Sequence, residues 1–114
     1  MSYEINPTKN FLIEAKRLHK RYHSFKSDLE DFKQSLQENP FQGTELCPGI
    51  RKIRMSITSK GRGKSGSARV ITANAIIAEH EGRIALLAIY DKQDFATIDV
   101  KIVKQMAHEL GFGV

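Results

Sequence analysis

The sequence predicts an α+β domain in which an antiparallel sheet packs against an N-terminal helical hairpin. Two observations predict this class: a 3.6-residue apolar period covers residues 8–39, and a two-residue period replaces it from residue 52. The helical period returns near the C-terminus. The expected element order is β-α-α-β-β-β-α, with all helices on one face of the sheet. A chain of 114 residues is long enough for one core, so we predict a single domain over residues 1–114.

The N-terminal third contains the predicted helical hairpin. Residues 3–6 predict a short edge strand that ends at Pro7. Thr8 is the expected N-cap of the first helix, and its apolar stripe comprises Phe11, Leu12, Ala15, Leu18 and Tyr22. Ser24 is the expected cap of the second helix, whose inner face comprises Phe25, Leu29, Phe32 and Leu36. Asn39 and Pro40 end that helix, and residues 41–49 predict a loop.

Three strands and a final helix follow. Residues 52–58 alternate between apolar and basic or hydroxyl side chains, which predicts a strand with one basic face. Residues 59–66 (SKGRGKSG) form a Gly-rich turn, residues 68–79 a second strand, and residues 80–82 a hairpin turn. Residues 83–90 are apolar on both faces from Ile84 onward, which indicates a buried central strand. The final helix runs over residues 97–109, stops at Gly111, and has an inner face of Ile98, Ile102, Met106 and Leu110.

The positive charge of the chain is local. Residues 1–50 contain seven basic and seven acidic residues, whereas residues 51–114 contain eleven and six, so the net charge of +5 belongs to the second part. Between residues 51 and 69 there is no acidic residue and there are seven basic ones: Arg51, Lys52, Arg54, Lys60, Arg62, Lys64 and Arg69. An acid-free basic strip on a sheet indicates a polyanionic partner, that is, a nucleic acid. The alternative is a solvated strand face that keeps the sheet soluble.

Candidate site residues follow from the strand period. Lys52 and Arg54 project from the same strand face roughly 7 Å apart, a spacing similar to that of neighbouring phosphates. Arg69 opens the next strand and can reach the same face. Tyr90, Asp91 and Lys92 end the third strand, which places polar groups at the rim of the sheet; Tyr90 can equally be a core residue.

Other classes of site have weak support. Gly63-Lys64-Ser65 matches the end of a phosphate-binding loop, but Thr58 occupies the position of its first glycine and a strand follows instead of a helix. We therefore predict no nucleotide site, and likewise no metal site and no cofactor. Cys47 has no second cysteine to pair with, and the N-terminus lacks a signal peptide, so a cytoplasmic location is expected.

The ordered set of motifs resembles the RelE/ParE superfamily of bacterial toxins. The matching segments are Asn39-Pro40, Leu46 with Gly49-Ile50-Arg51-Lys52-Ile53-Arg54, the SKGRGKSG turn, Ala68-Arg69-Val70-Ile71, and Leu86-Leu87-Ala88-Ile89-Tyr90-Asp91-Lys92. Within the superfamily, the HigB-like branch with a GKGKSG-type turn matches best. The resemblance implies a RelE-like fold and the toxin of a type II toxin–antitoxin pair.

The resemblance also implies a reaction and partners. RelE-like toxins enter the ribosome and cleave mRNA without a metal, through attack of the RNA 2′-hydroxyl on its own 3′-phosphate. The catalytic positions implied are Lys52, Arg54, Arg69 and Lys92. RelE carries a tyrosine in its last helix that has no counterpart here, so either Tyr90 or Asp91 takes its place as acid or base, or the acid and base roles are distributed differently. RNA contacts are expected from Arg51, Lys60, Arg62 and Lys64. The implied partners are a cognate antitoxin, in a hetero-oligomer, and the ribosome with its mRNA.

Two other functions are compatible with the same sequence. One is a ParE-like poison of DNA gyrase, which cleaves nothing itself and does not need the phosphate-binding cations. The other is a nonenzymatic RNA-binding module, which predicts salt-sensitive RNA binding without toxicity.

Overall fold

The structure is a computed structural model that describes residues 2–60, 66–91 and 99–112. In chain order the elements are β1 (Glu4–Pro7), α1 (Lys9–Arg21), α2 (Phe25–Glu38), β2 (Thr44–Cys47), β3 (Ile50–Ser56), a single 3₁₀ turn (Thr58–Lys60), β4 (Ser67–Ala78), β5 (Glu81–Asp91) and α3 (Val100–Glu109). The five strands form one sheet in the order β1-β5-β4-β3-β2. The α+β class and the N-terminal helical hairpin are confirmed.

The sheet differs from the prediction in two ways. β1 pairs with β5 in parallel, so the sheet is mixed instead of antiparallel throughout. β1 lies far from β5 in sequence, and no hairpin turn forces an antiparallel pairing. In addition, β2 occupies part of the predicted loop and pairs with β3. Gly43, which precedes β2, has a φ of +74°, and a Cβ there would lie 2.2 Å from the Lys52 carbonyl oxygen. A glycine is therefore required where the chain approaches β3.

The prediction that all helices pack on one face of the sheet is wrong. α1 and α2 cover one face, here called the hairpin face, which presents Ile53, Met55 and Val70. α3 covers the opposite face, here called the α3 face, where Val103 and Ala107 join a second core with Ile50, Ile71, Ala73 and Leu87. Because β5 is apolar on both sides, it needs cover on both faces.

The buried stripe of α3 also differs from the predicted one. Val103 and Ala107 are fully buried, whereas the side chains of Ile102 and Leu110 are 59% and 45% exposed. Small residues facing the sheet let the helix approach closely, and the larger ones are turned outward. Of the other two predicted inner residues, Met106 is half-buried and Ile98 lies outside the described residues. None of the helices in the described ranges is long and apolar enough to cross a bilayer.

The caps of the first two helices show how the hairpin begins. The Thr8 hydroxyl accepts a hydrogen bond from the Phe11 amide at 3.2 Å, which confirms the predicted N-cap. Ser24 occupies the cap position of α2, but its side chain makes no capping bond. The Ser24 hydroxyl instead donates to Asp28 at 2.7 Å and accepts from the Ser59 amide at 2.9 Å. It thereby ties α2 to the 3₁₀ turn.

Candidate functional site

Three of the predicted site residues form a row across the sheet. Arg54 on β3 lies directly opposite Arg69 on β4, and Arg69 lies directly opposite Tyr90 on β5. Directly opposed residues share a sheet face, and here it is the α3 face, because Tyr90 belongs to the second core. Neighbouring strands are about 4.8 Å apart, so the row is roughly 10 Å long. We call Arg54, Arg69 and Tyr90 the site row.

Lys52 extends the row along β3. It lies two residues before Arg54, on the same face, and opposite Ile71 of β4. Lys52 and Arg69 are half-buried, and Arg54 is exposed. In the described part of the chain, no carboxylate forms an ion pair with Lys52, Arg54 or Arg69. Within the described residues, the charge of these cations is therefore not compensated by a carboxylate.

The protein holds the Arg69 side chain in place. Its Nη1 donates to the Ser67 hydroxyl at 2.6 Å and to the Ala68 carbonyl oxygen at 3.3 Å. A guanidinium has five N–H donors in a planar fork, so these bonds orient Arg69 and leave other donors for a phosphate. Ser67 is buried. Sequence reasoning missed it, although the two-residue period places it on the same strand face as Arg69.

Tyr90 is suited to donate a proton. Its side chain is 5% exposed, and this burial raises the pKa of the phenol above its usual value of 10.0, against the opposing effect of the Arg69 charge. The phenol therefore stays neutral at physiological pH. A neutral phenol beside a guanidinium can donate a hydrogen bond or a proton to an oxygen that gains charge.

Asp91 and Lys60 lie on the opposite face of the sheet from the site row. Asp91 is fully buried, and its carboxylate accepts a bond from Lys60 Nζ at 2.7 Å. The Tyr22 hydroxyl donates to it at 2.5 Å and Arg21 Nη1 at 3.3 Å. Two predicted site residues therefore meet, but on the other face of the sheet from the site row. Tyr22 and Arg21, about 70 positions earlier, gave no sequence signal for this contact.

Arg51 also points away from the site row. Alternation along β3 places it on the hairpin face, beside Ile53 and Met55. Its Nε donates to the Gln42 carbonyl oxygen at 2.7 Å, and its Nη2 to that of Gly43 at 3.2 Å. These bonds fasten the segment that leads into β2. The remaining predicted residues, Arg62, Lys64 and Lys92, lie outside the described residues.

A cleft on the other side of Arg54 has the wrong charge for a phosphate. It lies between α2 and β3, has a volume of about 250 Å³, and is lined by Asp28 and Asp31 as well as Arg54. The two carboxylates would repel a polyanion. The described residues also contain no group of three His, Cys, Asp or Glu side chains placed to bind a metal ion. Compared with this cleft, the α3 face has the charge that suits an anion.

Comparison with known proteins supports the fold. No protein-family model matches the chain. Among solved structures, the chain is similar to a double arginine-to-alanine mutant of the E. coli toxin RelE in the free state, with a TM-score of 0.57. The chain has the RelE-like toxin fold. The match covers 96% of this chain and 97% of RelE at 15% sequence identity, so the likeness lies in the arrangement of the elements. The RelE-like fold expected from the motifs is confirmed, and the HigB-like branch stays a prediction.

Proposed function

We propose that this protein is the toxin of a type II toxin–antitoxin pair and cleaves mRNA on the ribosome. The observation that carries the proposal is the site row. Two guanidiniums and a neutral phenol lie side by side on one face of three adjacent strands in a RelE-like fold, and Lys52 lies beside them. A solvated strand face explains the exposed Arg54, but it does not explain why Arg69 is held by Ser67 at the edge of an apolar core.

The proposed reaction is attack of an RNA 2′-hydroxyl on the adjacent 3′-phosphate. The new bond joins the 2′-oxygen to phosphorus, and the bond to the 5′-oxygen breaks, which gives a cyclic phosphate and a 5′-hydroxyl end. Arg54 and Arg69 would bind the non-bridging oxygens and stabilise the charge of the transition state. Tyr90 would donate a proton to the departing 5′-oxygen. All the groups this requires can be supplied by side chains.

The other predicted residues take supporting roles in this proposal. Lys52 in its neutral form would accept the 2′-hydroxyl proton; as a cation it would bind the neighbouring phosphate, and the 2′-hydroxyl proton would pass to a solvent water. Arg62 and Lys64 would contact RNA from the Gly-rich segment, and Lys92 would add a cation after β5. Asp91, Lys60 and Arg51 have buried or loop partners on the opposite face, which favours structural roles for them. The partners proposed are a cognate antitoxin, the ribosome and mRNA, in the cytoplasm.

The test is a short induction of the protein in bacteria followed by sequencing of RNA 5′ ends. We expect new 5′-hydroxyl ends at codon-phased positions in translated messages. A Lys52→Ala, Arg54→Ala, Arg69→Ala triple variant should produce none of them. The matched control is Lys9→Ala, Lys16→Ala, Lys20→Ala, which removes three exposed charges from α1 and should cleave like the wild type.

The other outcomes redirect the proposal. Complete retention of cleavage in the first triple variant would refute the site. Growth arrest with intact messages and damaged DNA would favour a gyrase poison. Normal growth and intact messages, together with salt-sensitive RNA binding, would favour a binding module.

A further inference from the structure

A charge cluster with a buried ion pair at its centre lies directly behind the site row. It comprises Asp91 at the end of β5, Lys60 at the end of the 3₁₀ turn, and Arg21 and Tyr22 at the end of α1; we call it the Asp91 cluster. The side chains of Asp91 and Lys60 are 0% and 5% exposed. Lys60 Nζ also lies 5.4 Å from the centre of the Tyr22 ring, within range of a cation–π contact. Neither an anionic substrate nor solvent has ready access to this pair.

The chemistry of the cluster limits its movement. A carboxylate removed from water is tolerated only when it is paired and hydrogen-bonded. Asp91 meets that condition through Lys60, Tyr22 and Arg21, which come from two other parts of the chain. Rotation of the end of β5 would break these bonds and separate the Lys60–Asp91 pair, whose two side chains are buried from solvent. The end of β5 is therefore held more firmly than strand pairing alone would hold it.

This anchor acts on the site row through the backbone. Tyr90 and Asp91 are consecutive residues of one strand, so their side chains point to opposite faces. Fixing the Asp91 side chain on the hairpin face fixes the orientation of the strand, and hence the direction of the phenol on the α3 face. At its other end the cluster holds Lys60, the last residue before the segment that contains Arg62 and Lys64.

We propose that Lys60 and Asp91 are positioning residues, which hold the Tyr90 phenol in the site row and do not contact the RNA. The consequence for cleavage rests on the proposed function, whereas the consequence for the Tyr90 side chain does not. Loss of the Lys60–Asp91 ion pair should leave the cations of the α3 face in place and change the orientation of the Tyr90 phenol. The chemical step should then slow while substrate binding stays nearly unchanged.

The first measurement compares kinetics on mRNA bound to purified ribosomes. The test variant is Lys60→Met/Asp91→Leu, which replaces the ion pair with apolar groups of similar size and keeps the net charge. The control is Arg17→Met/Glu14→Leu, which removes the exposed pair on α1 with its 2.8 Å contact. We expect the test variant to lose at least tenfold in kcat with KM within twofold of the wild type. The control should change neither constant.

The second measurement reads the Tyr90 side chain without any RNA. Carbon-13 labelling of the tyrosine rings gives three signals, from Tyr3, Tyr22 and Tyr90, which single Tyr→Phe variants assign. The Tyr90 phenol of the wild type should titrate above pH 10 because burial raises its pKa. In Lys60→Met/Asp91→Leu, and in the more conservative, equally charge-neutral Lys60→Gln/Asp91→Asn should the first variant not fold, the titration should move toward the ordinary value.

The two readouts separate the possible failures. An unchanged Tyr90 titration in a folded variant overturns the positioning role. A shifted titration supports it, even if the wild type cleaves no mRNA, and in that case only the proposed function fails. A shifted titration with unchanged kcat in a cleaving protein would show that the phenol is not used in catalysis, and it would overturn the catalytic part of this proposal.

Discussion

The two arginines of the site row differ in how the protein holds them. Arg69 is half-buried and donates to Ser67 at 2.6 Å, whereas Arg54 is exposed and has no described side-chain partner. In the proposed reaction, Arg69 must therefore reach both Ser67 and a phosphate from one planar group. A lysine has a single ammonium on a flexible stem and cannot span two such partners in a fixed geometry. Arg54 carries no such double requirement.

We predict that Arg69→Lys is far more damaging than Arg54→Lys. Loss of a preorganised donor to a transition state costs about 10²–10³ in rate, and this range is expected for Arg69→Lys. Arg54→Lys keeps a charge at an exposed position and should lose about tenfold or less. Single-turnover cleavage of ribosome-bound mRNA measures both rates. Equal losses in the two variants would contradict the assigned role of Ser67.

The sequence predicts only in part which face of the sheet each candidate site residue occupies. The two-residue period correctly places Lys52 and Arg54 on one face, and it shows that Tyr90 and Asp91 must point in opposite directions. The sequence order nevertheless suggested one polar rim for both. The role of Asp91 depends on its partners, among them Tyr22. Tyr22 lies 69 positions earlier and is brought close only by the packing of α1 on β5. No local pattern carries that information.

At the scale of elements, Asp28 connects α2 to the 3₁₀ turn. The Asp28 carboxylate accepts bonds from the Thr58 amide at 2.9 Å, from the Thr58 hydroxyl at 2.6 Å and from Ser24 at 2.7 Å. Burial raises the pKa of Asp28, but the bonds from Thr58 and Ser24 together outweigh it, so the pKa lies below its usual value of 3.8. The folded protein thus stabilises the ionised form of Asp28 relative to the protonated form.

The sign of the pH dependence follows from this lowered pKa. A carboxyl whose folded pKa is depressed stabilises the protein above its unfolded pKa, and this contribution is lost as pH falls through the folded value. Asp28→Asn should lower the free energy of unfolding by about 1.5–3 kcal/mol at pH 7, the range for hydrogen bonds to charged groups. The difference between the wild type and the variant should shrink below about pH 4.

Urea unfolding at pH 7, 4 and 3 checks this prediction. The exposed Asp31, three positions along the same helix, supplies the control variant Asp31→Asn, which should stay within about 0.5 kcal/mol of the wild type. If Asp28→Asn lowers the free energy of unfolding by the same amount at all three pH values, the stabilisation does not depend on the ionised form of Asp28, and the prediction is wrong.

Elements were predictable where one periodic pattern dominates. α1 and α2 begin directly after Thr8 and Ser24, as predicted. Both helices were recognisable because each presents one apolar stripe to a single sheet face. β2 was missed because it has only four residues between turn formers and is held by its pairing with β3. In α3, isoleucine and leucine at four-residue spacing suggested the wrong stripe. Val103 and Ala107 instead belong to the core that contains Ile71 and Leu87, and this long-range packing is not visible in the sequence.

At the scale of the whole molecule, the site cations project from the opposite side of the sheet to the acidic cleft and to the exposed lysines of α1. The α3 face carries Lys52, Arg54 and Arg69, while the cleft beside α2 on the other side carries Asp28 and Asp31. α1 adds further exposed lysines, among them Lys16 and Lys20, on the hairpin side. RNA held by the α3 face should therefore release counterions through the site cations and not through those of α1.

This separation predicts a specific salt dependence. For single strands, log K falls with log salt by about 0.7 for each phosphate that is neutralised. Lys52→Ala/Arg54→Ala should therefore reduce the slope by about 1.4, and Lys16→Ala/Lys20→Ala, with the same change in net charge, should leave it unchanged. Fluorescence anisotropy with a 2′-O-methyl RNA oligonucleotide, which cannot be cleaved by 2′-hydroxyl attack, measures the slope between 50 and 200 mM KCl. Equal reductions in both variants would mean that RNA responds to the net charge of the molecule and not to a site on its α3 face.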